Sequence, residues 1–549
     1  MNSVVLAGVV LVVLVAVHVP LGNYLAWVFT SERHWRVERV FYRLIRVDSS
    51  ADQRWPHYAM SLLAFSVVSI LALFALLRLQ PHLPMSQGKP AMPADQSFNT
   101  SVSFVTNTSW QSYAGEKSLG NLAQMAGIAL QAFLSSVVGL AVAMALIRGL
   151  ARRGTDRVGN FWVDMTRGLV RVLLPLSFLF GLVLLGAGVI QSLSAGQDAT
   201  TLVGGTQFIT GGPVASYEPI KVMSGDGGGF FNVGSAHPFE NPTALTNLIE
   251  IVLMLLVPSA LPRAYGRMVG DRRQGWAVAG VMAVLLVGGV VATMAVEAHG
   301  QDTTAIAAGH PVEGKETRFG VGGSALFGAA ATTSSDGAAN SSYDSYTPLA
   351  GGMLLFNMLL DEVGPGGIGS GLYGLLVFAL FTVFLAGLMI GRTPEFLGKR
   401  VARREVTLVA LYLLVYPLCV LVGAALSLAL PTPRGSISQG GPHGLSQILY
   451  AFTSGSATNG SAFAGLTSNT AWYNTGIGLV MLLGRYVPML LVLALAGTLG
   501  RQRPVPVSAG TLPTYRPLFA SMLTGVVIIV GGLSYFPALA LGPLAEGLT

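Results

Sequence analysis

Two things that soluble proteins use freely are scarce here. Only 10% of the 549 residues are charged, and there is one cysteine. The single Cys419 excludes a disulfide framework. The low charge, set against 52% hydrophobic residues and a mean hydropathy of +0.61, excludes an ordinary soluble domain and indicates a polytopic membrane protein. A basic region before the first apolar run is also missing, so that run reads as an uncleaved span rather than a signal peptide. The net charge of +7 would suggest nucleic acid only if it formed a patch. The basic residues instead sit at the ends of apolar segments, the membrane pattern, and nucleic acid is not an expected partner. No nucleotide motif, phosphorylatable aspartate signature or soluble domain is present. Gly309-His310-Pro311-Val312-Glu313-Gly314-Lys315-Glu316 approaches a phosphate loop but lacks Ser or Thr after the lysine and has no strand before it.

Apolar runs are abundant. Ten spans are expected, at 3–28, 58–80, 119–147, 169–192, 246–267, 276–297, 350–391, 406–430, 473–499 and 517–541. The seventh is too long for one helix and is broken at Gly364-Pro365-Gly366-Gly367. Of the 32 Lys and Arg residues, 24 fall in one set of loops, seven in the other, and Arg485 lies inside a span. The positive-inside rule places the larger set in the cytoplasm and the opposite loops outside.

The outer loops repeat one pattern. Thr106-Asn107-Thr108, Gly225-Asp226-Gly227, Ser335-Asp336-Gly337 and Thr458-Asn459-Gly460 have third members spaced by 119, 110 and 123 residues. Each follows a short, moderately apolar piece, at 94–105, 214–224, 322–334 and 444–457, too short to span. The chain therefore divides into a first span with its basic loop (1–57), four span–loop–span units (58–168, 169–275, 276–405, 406–516) and a last span (517–549). Irregular backbone at membrane depth is tolerated where it lines a wet cavity. Backbone carbonyls there can replace the water shell of a cation. Glycine at 227, 337 and 460 permits the positive φ that turns carbonyls one way, and Thr108 offers a hydroxyl oxygen. The short helices would direct their partial negative ends at the ion. Asp226 and Asp336 would make the mouth more acidic on the second and third units. The fold class is thus an all-α polytopic membrane protein with four pore-loop repeats around a pseudo-fourfold axis, plus a span at each end.

Five stretches are more specific than this grammar. They are Thr106-Asn107-Thr108-Ser109-Trp110-Gln111-Ser112-Tyr113, Gly227-Gly228-Gly229-Phe230-Phe231-Asn232, Ser235-Ala236-His237-Pro238-Phe239-Glu240-Asn241-Pro242, Gly391-Arg392-Thr393-Pro394-Glu395 and Asn459-Gly460-Ser461-Ala462-Phe463. In these the chain resembles the potassium-binding A subunits of bacterial Kdp potassium-transporting ATPases, relatives of potassium channels. The resemblance implies K+ as the bound ion, with no nucleotide on this chain. It implies a filter built on the backbone at Asn107, Thr108, Gly227, Gly337 and Gly460, flanked by Thr106, Asp226, Gly228, Asp336 and Asn459. Gln111 matches a residue that tunes affinity. Gly364, Gly366 and Gly367 match a loop that closes the direct exit, and Arg392 matches a contact with the catalytic subunit. Expected partners are that P-type ATPase subunit (KdpB-like), small accessory subunits (KdpC-like and KdpF-like) and membrane lipid, in the bacterial inner membrane. Asp226 and Asp336 depart from the pattern, where Asn and a hydroxyl residue are expected.

Asp361, Glu362 and Arg485 stand out inside spans, where ionisable groups are costly and usually paired or functional. A buried Glu362–Arg485 ion pair is one reading of them. The resemblance implies a place near a tunnel toward the catalytic subunit. Two rival readings remain: a stand-alone Trk-type channel or symporter gated by a cytosolic partner, and a membrane-embedded enzyme, for which these three groups are too few. His237 and Glu240 lack the further ligands that a metal site needs.

Overall fold

Long apolar runs with their backbone polar groups satisfied internally give helices. The computed structural model describes residues 3–299, 311–391, 394–503, 505–506 and 511–548. Among the described residues ten helices are long and apolar enough to cross a membrane. In order they are Ser3–Thr30, Trp55–His82, Ala123–Ala151, Phe161–Gly186, Ala244–Met268, Arg272–His299, Ser370–Met389, Arg403–Ala429, Ala471–Arg501 and Pro517–Leu548. The expected seventh span is two pieces. Pro348–Leu359 is a short apolar helix, and Ser370 begins the spanning one. Between them the Gly/Pro-rich segment leaves helical geometry, with Gly366 and Gly369 at φ of 76° and 90°. The tenth helix runs several residues past the expected end at 541. Among the described residues the helices are accompanied by three small two-stranded ribbons. One, Gly196–Thr200 with Thr206–Thr210, lies between the fourth span and the second half-helix; two lie at the arginine-rich end.

Four half-length helices precede the repeated loops: Ala94–Val105, Val214–Met223, Gly320–Ser334 and Gly441–Ala457. They stop where the polar step begins. Ser335 and Thr458 take the left-handed conformation that commonly ends a helix, at φ of 61° and 60°. In the second unit Gly225 takes it, one residue beyond the cap.

Lipid tails are as apolar as leucine, so helices here associate through close packing and polar bridges rather than hydrophobic transfer. The third span runs through the centre and is buried over most of its length. Gly149 lies against the backbone of Ala496 in the ninth span, and Gly484 lies against that of Ser456 in the fourth half-helix. A side chain at either would force the helices apart. At the basic end Arg148 grips Asp164 through two bonds of 2.6 and 2.7 Å. The fully buried Arg171 grips Glu38 at 2.5 and 2.7 Å. Arg171, one of the 24 basic residues expected in the arginine-rich loops, lies inside the protein, held by a carboxylate and flanked by Trp27 and Trp35.

Candidate ion-binding ring

The four polar steps meet at the centre of the molecule and close a circle. Asn107 Nδ2 donates to the carbonyl of Gly225 at 2.9 Å, joining the first loop to the second. Gly227 lies directly against the backbone of Gly337, joining second to third. Ser335 Oγ donates to the Thr458 carbonyl at 3.3 Å, joining third to fourth. Gly460 lies directly against the Thr108 carbonyl, joining fourth to first. No side chain fits at Gly227 or Gly460, because a Cβ would overlap the neighbouring loop's backbone.

Glycine serves two different purposes in this ring. Gly227 and Gly460 have φ of 79° and 92°, the region that favours glycine. Gly337 does not, contrary to expectation. It is glycine for space: a Cβ there would lie 2.7 Å from the Asn459 carbonyl oxygen and 3.1 Å from that of Asp226. The first loop follows a different path. Its left-handed residues are Asn107 and Ser109, at φ of 60° and 57°, on either side of Thr108. The Thr108 hydroxyl lies 2.8 Å from that of Thr106, which in turn donates to the Val102 carbonyl at 2.8 Å.

Outside the ring is a cavity of about 530 Å³ lined by all four loops, among them Ser109, Gln111, Gly228, Gly337 and Gly460. Gln111 Oε1 accepts the Gly229 N–H at 3.0 Å, so this side chain ties the first loop to the second at the rim of the cavity. Asp226 and Asp336 are absent from its lining, and both are fully buried. The acidic mouth expected from the sequence is therefore not formed. Asp336 turns back to accept the Ala338 N–H at 2.8 Å. The Asp226 carboxylate lies beside Ser109 of the first loop and accepts no well-formed hydrogen bond. Short polar side chains in turns often bond their own backbone two residues on, as Asp336 does, and that aims them away from the mouth.

On the other side of the ring, Asp361 and Glu362 are consecutive left-handed residues at φ of 56° and 47°. Two such non-glycine residues hold local strain that the surrounding packing sustains. Glu362 Oε1 accepts from Asn459 Nδ2 at 2.8 Å. Arg485 donates to the Ser135 carbonyl at 3.3 Å. The expected Glu362–Arg485 ion pair is not formed, because each group serves a different quarter of the ring. Glu362 braces the fourth loop, whereas Arg485 binds the third span beside the first: Ser135 Oγ also donates to Asn107 Oδ1 at 3.0 Å. The break after Glu362 passes close to this side of the ring. Gly366 N–H donates to the Thr333 carbonyl at 2.9 Å, and Gly367 packs on Ser335. Gly364 packs on Leu285 of the sixth span. Arg392 lies outside the described residues.

Sequence reasoning missed a charged cluster behind the second loop. Lys221, expected in an outer loop, is fully buried on the second half-helix among Glu218, Glu240 and Glu250. Glu250 lies inside the fifth span and belongs with the intramembrane ionisable groups. The signal was present: Glu218 and Lys221 are three apart on a short helix and form a 2.7 Å ion pair. His237 packs into the loop behind the ring. Burial pushes its pKa down, its ring stacks on Phe231 at 3.7 Å, and its Nδ1 accepts the Phe239 N–H. Among the described residues no group of three or more His, Cys, Asp or Glu is arranged to hold a metal.

Sequence relatives match nearly the whole chain. Residues 8–548 match the family model of the potassium-transporting ATPase A subunit. A potassium-transporting ATPase potassium-binding subunit from Kineococcus radiotolerans is 56% identical, covering 99% of this chain and 98% of its own length. One from Streptomyces coelicolor is 53% identical over the full length of both. Among solved structures the potassium transporter TrkH from Vibrio parahaemolyticus superposes with a TM-score of 0.55 at 13% identity, covering 87% of this chain and 97% of that one. That likeness extends to the fold alone. The sequence matches are far stronger, and the chain belongs to the family of potassium-transporting ATPase A subunits.

Proposed function

We propose that this chain is the potassium-selecting subunit of an ATP-driven uptake system and that the ring is its filter. The observation that carries this is the closed circle of four backbone loops, with Gly227 and Gly460 packed directly on their neighbours' backbones. Backbone carbonyls at Asn107, Thr108, Gly227, Gly337 and Gly460 replace the ion's water shell. The half-helices ending at the ring add their partial negative ends. The cavity that Gln111 borders is the outer vestibule and faces outside, opposite the arginine-rich loops. Beyond the filter, the glycine-rich break blocks straight passage. Asp361, Glu362 and Arg485 lie along a lateral route to a catalytic P-type subunit, which supplies ATP hydrolysis and which Arg392 contacts. Small accessory subunits and lipid complete the assembly in the bacterial inner membrane.

Reconstitution separates this reading from a Trk-type channel. Rubidium uptake is measured for the chain alone and with its candidate ATPase subunit, with and without ATP. Uptake is expected only with the partner and ATP. Large ATP-independent flux through the chain alone would sink the pump-subunit reading. Gln111→Arg is expected to lower potassium affinity at least about tenfold, because it loses the acceptor for the Gly229 N–H and adds a fixed cation beside the filter. Isothermal titration showing wild-type binding would refute that role.

A further inference from the structure

The Ser235–Pro242 segment contributes no residue to the ring contacts between the four loops. Its Glu240 is fully buried. Glu240 Oε1 accepts two backbone N–H groups, from Phe230 at 2.7 Å and Phe231 at 3.0 Å. These residues directly follow the glycine run that begins at Gly227. The other oxygen accepts from Lys221 Nζ at 3.1 Å. Lys221 Nζ also reaches Glu218 at 2.7 Å and Ser235 Oγ at 3.0 Å. Its backbone carbonyl accepts the Gly227 N–H at 3.2 Å. One lysine thus holds the near end of the filter segment through its carbonyl. Through its ammonium it holds the carboxylate that grips the far end.

We infer that Lys221 and Glu240 are a positioning pair that fixes the second filter loop from behind and thereby sets how well the ring distinguishes potassium from sodium. The inference rests on the filter reading above. Neither residue lines the cavity, so the pair acts through the backbone rather than by touching the ion. The chemistry suits the task. A carboxylate accepting two N–H groups fixes the direction of both peptides, and charge-assisted bonds are about twice as strong as neutral ones. Discrimination between cations of different radius requires that loop oxygens not collapse onto the smaller ion, so stiffness in the loop becomes selectivity. The motif anchors the neighbouring loop as well. Asn241 Nδ2 and Asn340 Nδ2 both donate to Asn247 Oδ1, at 3.1 and 2.8 Å, and Arg318 donates to the Asn241 carbonyl at 2.7 Å. The second and third loops therefore share one strut. Within the cluster a single lysine faces three glutamates, and Glu250 accepts no well-formed hydrogen bond. Removing the lysine leaves buried carboxylates uncompensated, which is costlier than removing both members of a pair.

The test uses the complete complex with its catalytic subunit, reading potassium-stimulated ATPase activity with sodium as competitor. Glu240→Gln is expected to raise the potassium KM about tenfold and to weaken exclusion of sodium, with kcat changed by less than about twofold. Lys221→Met is expected to do more. The double variant should bind potassium better than Lys221→Met alone, since one uncompensated carboxylate is gone. Glu38→Gln breaks an equally buried pair far from the ring and should lower thermal stability without moving KM. If Glu240→Gln fails to assemble, Ser235→Ala, which removes one bridge, is expected to raise KM about threefold. Wild-type KM and sodium exclusion in Glu240→Gln, or in Ser235→Ala where that variant is needed, would overturn the inference. So would a KM shift of the same size in Glu38→Gln. A wild-type complex that does not distinguish potassium from sodium would instead remove the filter reading itself.

Discussion

The first and fourth loops carry Asn at the position where the second and third carry Asp, and the structure gives the two pairs different work. Asn107 donates across to the second loop's Gly225 carbonyl. Asn459 donates across to the Ala331 carbonyl of the third half-helix at 3.2 Å, and to Glu362. The amide is needed in both cases, because a carboxylate has no hydrogen to give. Asp226 and Asp336 make no such crossing; Asp336 binds its own loop. The first-to-second and third-to-fourth seams are therefore tied by side chains. The second-to-third and fourth-to-first seams meet through bare backbone, and loops two and three also share the strut behind them. A fourfold plan can thus be held together by two unlike kinds of seam.

The sharpest way to break this comparison is at the backbone seams. Gly460→Ala combines a disfavoured φ of 92° with overlap on the Thr108 carbonyl. Overpacking of a rigid site costs about 1–3 kcal/mol or more, and the φ penalty adds about 1–2 kcal/mol. A loss of potassium affinity above about 100-fold is expected, by titration on the assembled complex. Gly337→Ala, at an ordinary φ, should lose clearly less. Equal losses would mean that the two glycines serve one purpose after all.

The side-chain seams come next. Asn459→Asp removes the donor to Ala331 and sets a second carboxylate against Glu362, at a cost of about 1–3 kcal/mol, so about tenfold weaker potassium binding is expected. Asp226→Asn is the converse change. It replaces a fully buried carboxyl group that accepts no well-formed hydrogen bond, and that burial pushes toward the protonated form, so thermal stability should rise. Potassium binding should weaken by less than about tenfold, because burial already disfavours the charged form of Asp226. If Asp226→Asn proved the more damaging of the two, the carboxylate would be serving the ion directly and the assignment of seams would be wrong.

Much of this was legible in advance, and the misses have a common cause. The half-helix at 94–105 was read from the sequence with the same bounds that it has in the fold, and the others differ by at most three residues. Apolar length and the polar step that follows are local properties. The break in the seventh span was legible for the same reason, since Gly364-Pro365-Gly366-Gly367 cannot continue a helix. What failed was direction. The sequence alone points Asp226 and Asp336 at the mouth and allows a Glu362–Arg485 pair as one reading. Sequence gives the depth of a residue but not which quarter of a ring it faces. Lys221 was missed because a lysine in an outer segment reads as solvated unless its partners are known. Two of those, Glu240 and Glu250, lie beyond the half-helix that carries it.

The smallest expected effect concerns the seam between the third and fourth units at the end away from the arginine-rich loops. His443, at the start of the fourth half-helix, bonds Asp344 through Nε2 at 2.9 Å and Glu546 through Nδ1 at 2.8 Å. Both ring nitrogens face carboxylates, so the imidazolium is the form that satisfies them. These bonds, that to Asp344 first and that to Glu546 second, push the His443 pKa up to about 9. A raised pKa means that the folded state binds the proton more tightly than the unfolded chain does. The stabilisation is then complete below about pH 6.5 and is lost as pH rises through about 9. Thermal melts of the complex should therefore show a shallow decline between these values that His443→Gln abolishes. Potassium affinity at neutral pH should stay unchanged in that variant, because the histidine fastens the rim of the seam and not the ring. A shifted affinity would place the third-to-fourth seam under the control of its outer edge, and would make it weaker than the strut that holds the second loop to the third.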